Sequence, residues 1–295
     1  MSRQPVTVPC KYKTGRVLGN GTYATVKGNI IDTGKYYACK IINKKLMEGR
    51  EHMIRNEINI LKRISQGNKN ILSLVDYFET VNNLYLVTDL ASGGELFDRI
   101  CEKGSYFEKD AAKIVQTICS AVAYLHDNGI APEIFKKTGH GKPVDLWAIG
   151  VITYFLLSGY TPFEGSNNVE EMQAIMNADY NYDDPCWENI SQAAKNFIDR
   201  CLTINADERI TAHQALEHEW LLTISDGSKS TEEGGDLLPN LRTNFNARRT
   251  FKKAINMVTL SNHFGHSLKS SSSSTSNENN IQPVNEGIDQ VLETA

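Results

Sequence analysis

Between Val144 and Ser158 the chain reads VDLWAIGVITYFLLS, apolar nearly all round a helical wheel, with Asp145 as the one charge. A helix of that kind has no face for water and must be wrapped by other elements on every side. Its apolar run, Leu146 to Leu157, falls short of the roughly 20 residues a bilayer span needs. The chain must therefore build a helical domain around this segment. Phe107 to Asp127, Gln192 to Leu202 and Ala212 to Leu216 have the spacing to supply the surrounding helices.

The preceding third of the chain has a different period. Tyr12 to Leu18, Ala24 to Ile31 and Lys35 to Ile42 read as strands, separated by the turns Gly19-Asn20-Gly21 and Asp32-Thr33-Gly34. Residues 50–64 read as a helix, with Ile54, Ile58 and Leu61 on one face. Leu72 to Thr80 and Asn83 to Asp89 read as two further strands. Strands first and helices after predict an α+β protein with two lobes. Past Leu222 the composition changes: 224–235 is polar, and Leu241 to Ser270 is basic with no acid at all. Residues 267–295 are serine-rich and polar, the composition of a disordered tail. The expected units are thus 12–90, 91–222, 223–266 and 267–295.

Bulk properties narrow the class. Hydrophobic residues make up 40% and charged residues 22%, ordinary for a soluble globular chain. A net charge of −4 gives no reason to expect a nucleic-acid partner. The six cysteines form no C-x-x-C pair, and no secretory leader is evident, so reduced thiols in the cytosol or nucleus are the default, and a cytoplasmic location is expected.

Three features of the strand-rich part bear on chemistry. Leu18 leads into Gly19-x-Gly21-x-x-Ala24-x-Val26. Glycines there let backbone N–H groups approach phosphate oxygens, although a plain hairpin turn also explains them. Lys40 follows Ala38 on the third strand, where a surface lysine is the ordinary reading. Glu57 borders the apolar face of the next helix; it is either a solvated edge residue or a partner for a cation, and Lys40 is the natural one.

Glycine loop, strand lysine and helix glutamate in this order resemble the nucleotide-binding lobe of protein kinases. Thr88-Asp89-Leu90 resembles the hinge that bonds adenine. Gly93-Gly94-Glu95-Leu96-Phe97-Asp98-Arg99-Ile100 resembles the start of the second lobe in calcium/calmodulin-dependent kinases, where the Glu95 position meets ribose or a basic substrate residue. Ala131-Pro132-Glu133 resembles the A-P-E motif, whose glutamate would pair with Arg209. Asp145 resembles the aspartate that braces the catalytic loop. Gly159-Tyr160-Thr161-Pro162-Phe163 and His218-Glu219-Trp220-Leu221 complete a likeness running from Tyr12 to Leu222. The resemblance implies a bilobal kinase fold, ATP with Mg²⁺ as cofactors, and Ser/Thr of proteins as acceptors.

The departures are concentrated at one place. Tyr124 to Ile130 is followed directly by Ala131, where the family has its catalytic and metal-binding loops. The chain contains no H-R-D-x-x-x-x-N and no D-F-G. It thus lacks the family's base for the acceptor hydroxyl and its Mg²⁺ ligands, so no catalytic or metal residue is assigned and inactivity is expected. Closing such a gap predicts an Asp145 without partners and a second lobe that shifts or partly unfolds near residues 125–140. Farther on, Phe251, Ile255, Leu260 and Phe264 stand among Arg248, Arg249, Lys252 and Lys253. That pattern fits calmodulin's helix-in-groove binding over 240–266, with a membrane-surface helix or basic linker as alternatives. In the resembled family Asn240 to Val258 would also cover the substrate cleft as an autoinhibitor.

Overall fold

A computed structural model describes residues 12–20, 24–31, 34–49, 51–65, 67–130, 141–223 and 235–243. The first lobe is a five-stranded antiparallel sheet in the order β1-β2-β3-β5-β4. The strands are β1 (Tyr12–Asn20), β2 (Ala24–Ile31), β3 (Tyr36–Asn43), β4 (Leu74–Glu79) and β5 (Asn83–Asp89). Helix α1 (Glu51–Ile64) crosses one face. Side chains alternate across β3. Tyr37 and Cys39 point to one face, where Val87, Phe78 and Tyr85 join them. Ile42 points to the other, where Leu84, Leu86 and Met47 meet Ile58 and Leu61 of α1.

The second lobe is helical. It comprises α2 (Leu96–Glu102), α3 (Glu108–Asp127), α4 (Gly141–Ser158), α5 (Asn168–Asn177), α6 (Gln192–Cys201), α7 (Ala212–Leu216), α8 (Glu219–Leu222) and α9 (Leu238–Thr243). The apolar helix is α4, buried along most of its length as its composition requires. Its Gly150 lets α6 come close: a Cβ there would stand 2.8 Å from Cβ of Cys201. Glu108, in the first turn of α3, accepts hydrogen bonds from Ser191 N at 2.8 Å, Ser191 Oγ at 2.5 Å and Trp220 Nε1 at 2.9 Å. One carboxylate thereby ties α3 to the start of α6 and to α8.

The lobes also meet where the end of α1 and the segment before β4 reach α3. Asn68 donates to the carbonyl of Ser120 at 3.3 Å, and the Tyr124 hydroxyl donates to that of Ile64 at 3.5 Å. The Arg63 guanidinium bonds the carbonyl of Asn128. Gly67 lies so close to Tyr124 that a Cβ would stand 1.9 Å from its hydroxyl oxygen.

One expectation is corrected at the joint, and of the stretch 125–140 expected to shift or partly unfold only 125–130 is described. Those residues form an ordered helix end. Helix α3 ends in a Schellman motif: Ile130 N donates to Leu125 O at 2.9 Å and Gly129 N to His126 O at 3.1 Å. Gly129 supplies the left-handed residue with φ of 67°. The corrected expectation concerns Asp145, which has a partner: its Oδ2 stands 2.7 Å from His126 Nε2. Residues 131–140, including Ala131-Pro132-Glu133, lie outside the described residues, and so does the expected Glu133–Arg209 pair. Arg209 donates to the carbonyls of Pro143 and Thr203 at 2.8 Å and of Ile204 at 3.2 Å, and stacks on Trp147 at 4.9 Å.

The start of the basic C-terminal region is docked on the helical lobe. Leu237, Leu238 and Leu241 are buried in the main core. Asp236 accepts from Tyr106 N at 2.8 Å, and Arg242 donates to the carbonyl of Cys101 at 2.7 Å. Residues 244–266, with the basic cluster and its apolar anchors, lie outside the described residues.

Candidate functional site

The sheet register gathers the candidate residues into one row. Gly19 of β1 pairs with Val26 of β2, Val26 with Lys40 of β3, and Lys40 with Leu86 of β5. The expected turn at Gly19-Asn20-Gly21 begins later, since β1 runs through Asn20 and pairs Asn20 with Thr25. The register shifts between Val17 and Gly19, a bulge that sets Leu18 out of the ladder, where it is exposed. Gly21 lies outside the described residues; Asn20 and Val26 are placed by their backbones alone.

Lys40 shares a face with Ala38 and Ile42, the face that α1 crosses, so its side chain extends toward the helix. There Nζ meets Oε1 of Glu57 at 2.7 Å. The two side chains are 41% and 38% exposed. The pair is therefore a solvent-facing ion pair, with the ammonium open to an incoming anion. Of the two readings the sequence leaves open for Glu57, the contact selects the partner for Lys40, and the register shows why they can touch.

Asp89 closes β5, its carboxylate accepting from Ser73 N at 3.2 Å while its own N–H donates to Ser73 O at 3.1 Å. This double bond to the segment before β4 fixes the chain where it leaves the sheet. Glu95 stands at the N-cap of α2 and is exposed. Gly19, Val26 and Lys40 thus share one row of the sheet, with Glu57 against Lys40, while Asp89 and Glu95 stand along the chain as it runs from the sheet to α2. Among the described residues, no group of three or more His, Cys, Asp or Glu side chains is placed to hold a metal ion.

His126 and Asp145 form the second polar centre, with side chains 6% and 17% exposed. His126 stands in the last turn of α3, the helix expected over Phe107 to Asp127. Its position three residues after buried Ala123 and seven after buried Cys119 puts it on the inward face of α3, a periodic signal that could have found it.

The protein kinase domain model matches residues 12–131 and again 130–221, two pieces that meet at the Ile130–Ala131 joint. The chain belongs to the protein kinase family. Among known proteins it is 52% identical to calcium/calmodulin-dependent protein kinase cmkB of Emericella nidulans, over 87% of this chain and 76% of that one. It is 49% identical to calcium/calmodulin-dependent protein kinase type I of Schizosaccharomyces pombe, over 86% of this chain and 90% of the relative. Identity to the rat type 1B enzyme is 33%, over 89% of each chain. These relatives place it among the calcium/calmodulin-dependent kinases. The alignment to the first spans 308 positions, more than the 295 residues of this kinase-family chain, as a relative carrying extra internal residues requires. Among the described residues no helix is long and apolar enough to cross a membrane.

Proposed function

We propose that this chain is a form of a calcium/calmodulin-dependent serine/threonine kinase that keeps the nucleotide site and cannot transfer phosphate. The observation that carries the reading is the joint itself: the kinase likeness breaks at residues 130 and 131, and H-R-D and D-F-G are missing from the whole sequence. Phosphoryl transfer rests on holding the acceptor in line and neutralising charge at the γ-phosphate. Neither can proceed here without the base and the metal ligands.

The row Gly19–Val26–Lys40, with Ala38 beneath it, the Asp89 hinge and Glu95 beyond, would hold ATP. Lys40 would meet the phosphates, and Glu57 would keep it pointed at them. Magnesium has no assigned ligand and is left out of this reading. The site is cytoplasmic, and Ca²⁺-calmodulin would bind the basic region 240–266. In full-length relatives the same scaffold would phosphorylate Ser or Thr of protein substrates.

The test is incorporation of labelled phosphate into a basic Ser/Thr peptide, with Ca²⁺-calmodulin present. None is expected. Incorporation that disappears in Lys40→Met would overturn the assignment of inactivity. A second reading, a noncatalytic calmodulin-binding product with its own role, is favoured by the intact Lys40–Glu57 pair and the retained helical core. It requires a stable product of this length in cells and binding of a 240–266 peptide to Ca²⁺-calmodulin at micromolar concentration.

A further inference from the structure

The stretch from Asp236 to Thr243 is fastened to the helical lobe by its backbone as well as by its leucines. Tyr106 N donates to Asp236 Oδ1 at 2.8 Å, and Leu237 N donates back to Tyr106 O at 2.7 Å. Asp236 Oδ1 also accepts from Leu238 N at 3.0 Å, so one carboxylate serves both the lobe and the first turn of α9. Leu237, Leu238 and Leu241 are all buried. Gly159, at φ of 87°, lets the α9 backbone press on the end of α4, for a Cβ there would stand 2.9 Å from Asn240 O. Arg242 donates to the carbonyls of Cys101 at 2.7 Å and Lys103 at 3.4 Å. Those carbonyls lie at the C-terminal end of α2, where intrahelical donors run out and a cation is favoured.

A groove that binds a helix takes the apolar face of its target. In 236–243 that face already lies against the lobe. The anchors that fit such a groove begin at Phe251, eight residues past Thr243, and the cluster of cations begins at Arg248. Eight extended residues reach roughly 26–29 Å, which lets a partner take the anchors while α9 stays seated. Resting on the calmodulin reading of the basic region, we infer that Ca²⁺-calmodulin takes only 244–266 and that Asp236 to Thr243 stays docked, a fixed post from which the captured arm hangs. The 240–266 footprint is thereby shortened at its N-terminal end. Because Arg242 keeps its bonds to the end of α2, capture leaves in place the helix that Glu95 opens.

Calmodulin titrations and hydrogen exchange of the full chain test this together. Ca²⁺-calmodulin is expected to bind the full chain, a 244–266 peptide and a 236–266 peptide with Kd values within about threefold of one another. Exchange at 99–107 and 236–243 should be as slow with saturating calmodulin as without it. Arg242→Gln, a change at an exposed side chain, should speed exchange at 101–104 several-fold and leave the calmodulin Kd unchanged. Exchange at 236–243 that speeds when calmodulin is added would show α9 being pulled out and overturn the boundary, with the calmodulin reading left standing. A full chain or a 244–266 peptide that binds about tenfold more weakly than the 236–266 peptide would overturn it in the same way. No binding by either peptide at micromolar concentration would instead remove the calmodulin reading, and the boundary with it.

Discussion

His126 Nε2 and Asp145 Oδ2 stand 2.7 Å apart, and their contact joins the helices on either side of the joint. Both groups are largely out of water, so each depends on the other. Asp145→Ala leaves a buried imidazole with an unmet bond and is expected to cost about 3 kcal/mol. Asp145→Asn keeps an acceptor for the ring and should cost less, about 1–2 kcal/mol. Urea unfolding of the two variants beside the parent checks the order. Equal, negligible losses would mean that the pair does not hold the lobe together.

The Lys40–Glu57 pair should behave in the opposite way. With both side chains more than a third exposed, its Coulomb energy is screened, and Lys40→Met is expected to change stability by less than about 1 kcal/mol. On the proposed reading nucleotide binding should nevertheless fall about tenfold or more, since the ammonium would meet the phosphates. Titration of a fluorescent ATP analogue, with and without a chelator, reads both points. Binding to the parent chain should be insensitive to the chelator, and a strict need for Mg²⁺ would contradict the absence of assigned ligands.

Much of this was legible in the residues. The alternation in Tyr37, Cys39 and Ile42 sets which face of β3 carries Lys40, and the periodicity of Ile58 and Leu61 sets which face of α1 meets it. Gly129 marks the end of α3, because only a left-handed residue closes the Schellman motif there. What the sequence concealed depends on distant contacts. Leu237, Leu238 and Leu241 read as part of a regulatory arm, yet they are buried against α2 and α4, elements more than seventy residues upstream. The partner of Asp145 was hidden for the same reason: a helix-end histidine becomes a brace only when α4 is laid against α3. Asp89 shows the local counterpart, since its bonds to Ser73 follow from strand pairing that no single segment displays.

Gly67 tests the contact between lobes. An added Cβ would fall 1.9 Å from the Tyr124 hydroxyl oxygen and 2.2 Å from ring carbons. Gly67→Ala must therefore push the ring aside and break its bond to Ile64 O. Overpacking of this kind costs about 1–3 kcal/mol. Combining Gly67→Ala with Tyr124→Ala should recover part of that loss, because the obstructing ring is gone. A double-mutant cycle by thermal unfolding measures the coupling, and strict additivity would show that the two residues do not meet in solution.

His218 sets a pH dependence whose sign follows from its partners. Its Nδ1 accepts from Trp220 N at 3.3 Å, capping α8, and its Nε2 donates to Asn196 Oδ1 at 3.0 Å. Both bonds need the neutral ring protonated on Nε2. Burial lowers the pKa below the ordinary 6.5, with Glu219 opposing and Arg200 assisting. The unfolded chain therefore binds a proton more readily than the folded one between the lowered pKa and 6.5. The stability cost is absent above that window and grows as pH falls through it, where protonation of Nδ1 also removes the cap. His218→Asn keeps a capping acceptor and cannot titrate. Melting temperatures of the parent and of His218→Asn should run parallel from pH 8 to about pH 7 and then diverge, the parent falling faster toward pH 5. Parallel curves across the whole range would remove His218 as a source of acid sensitivity.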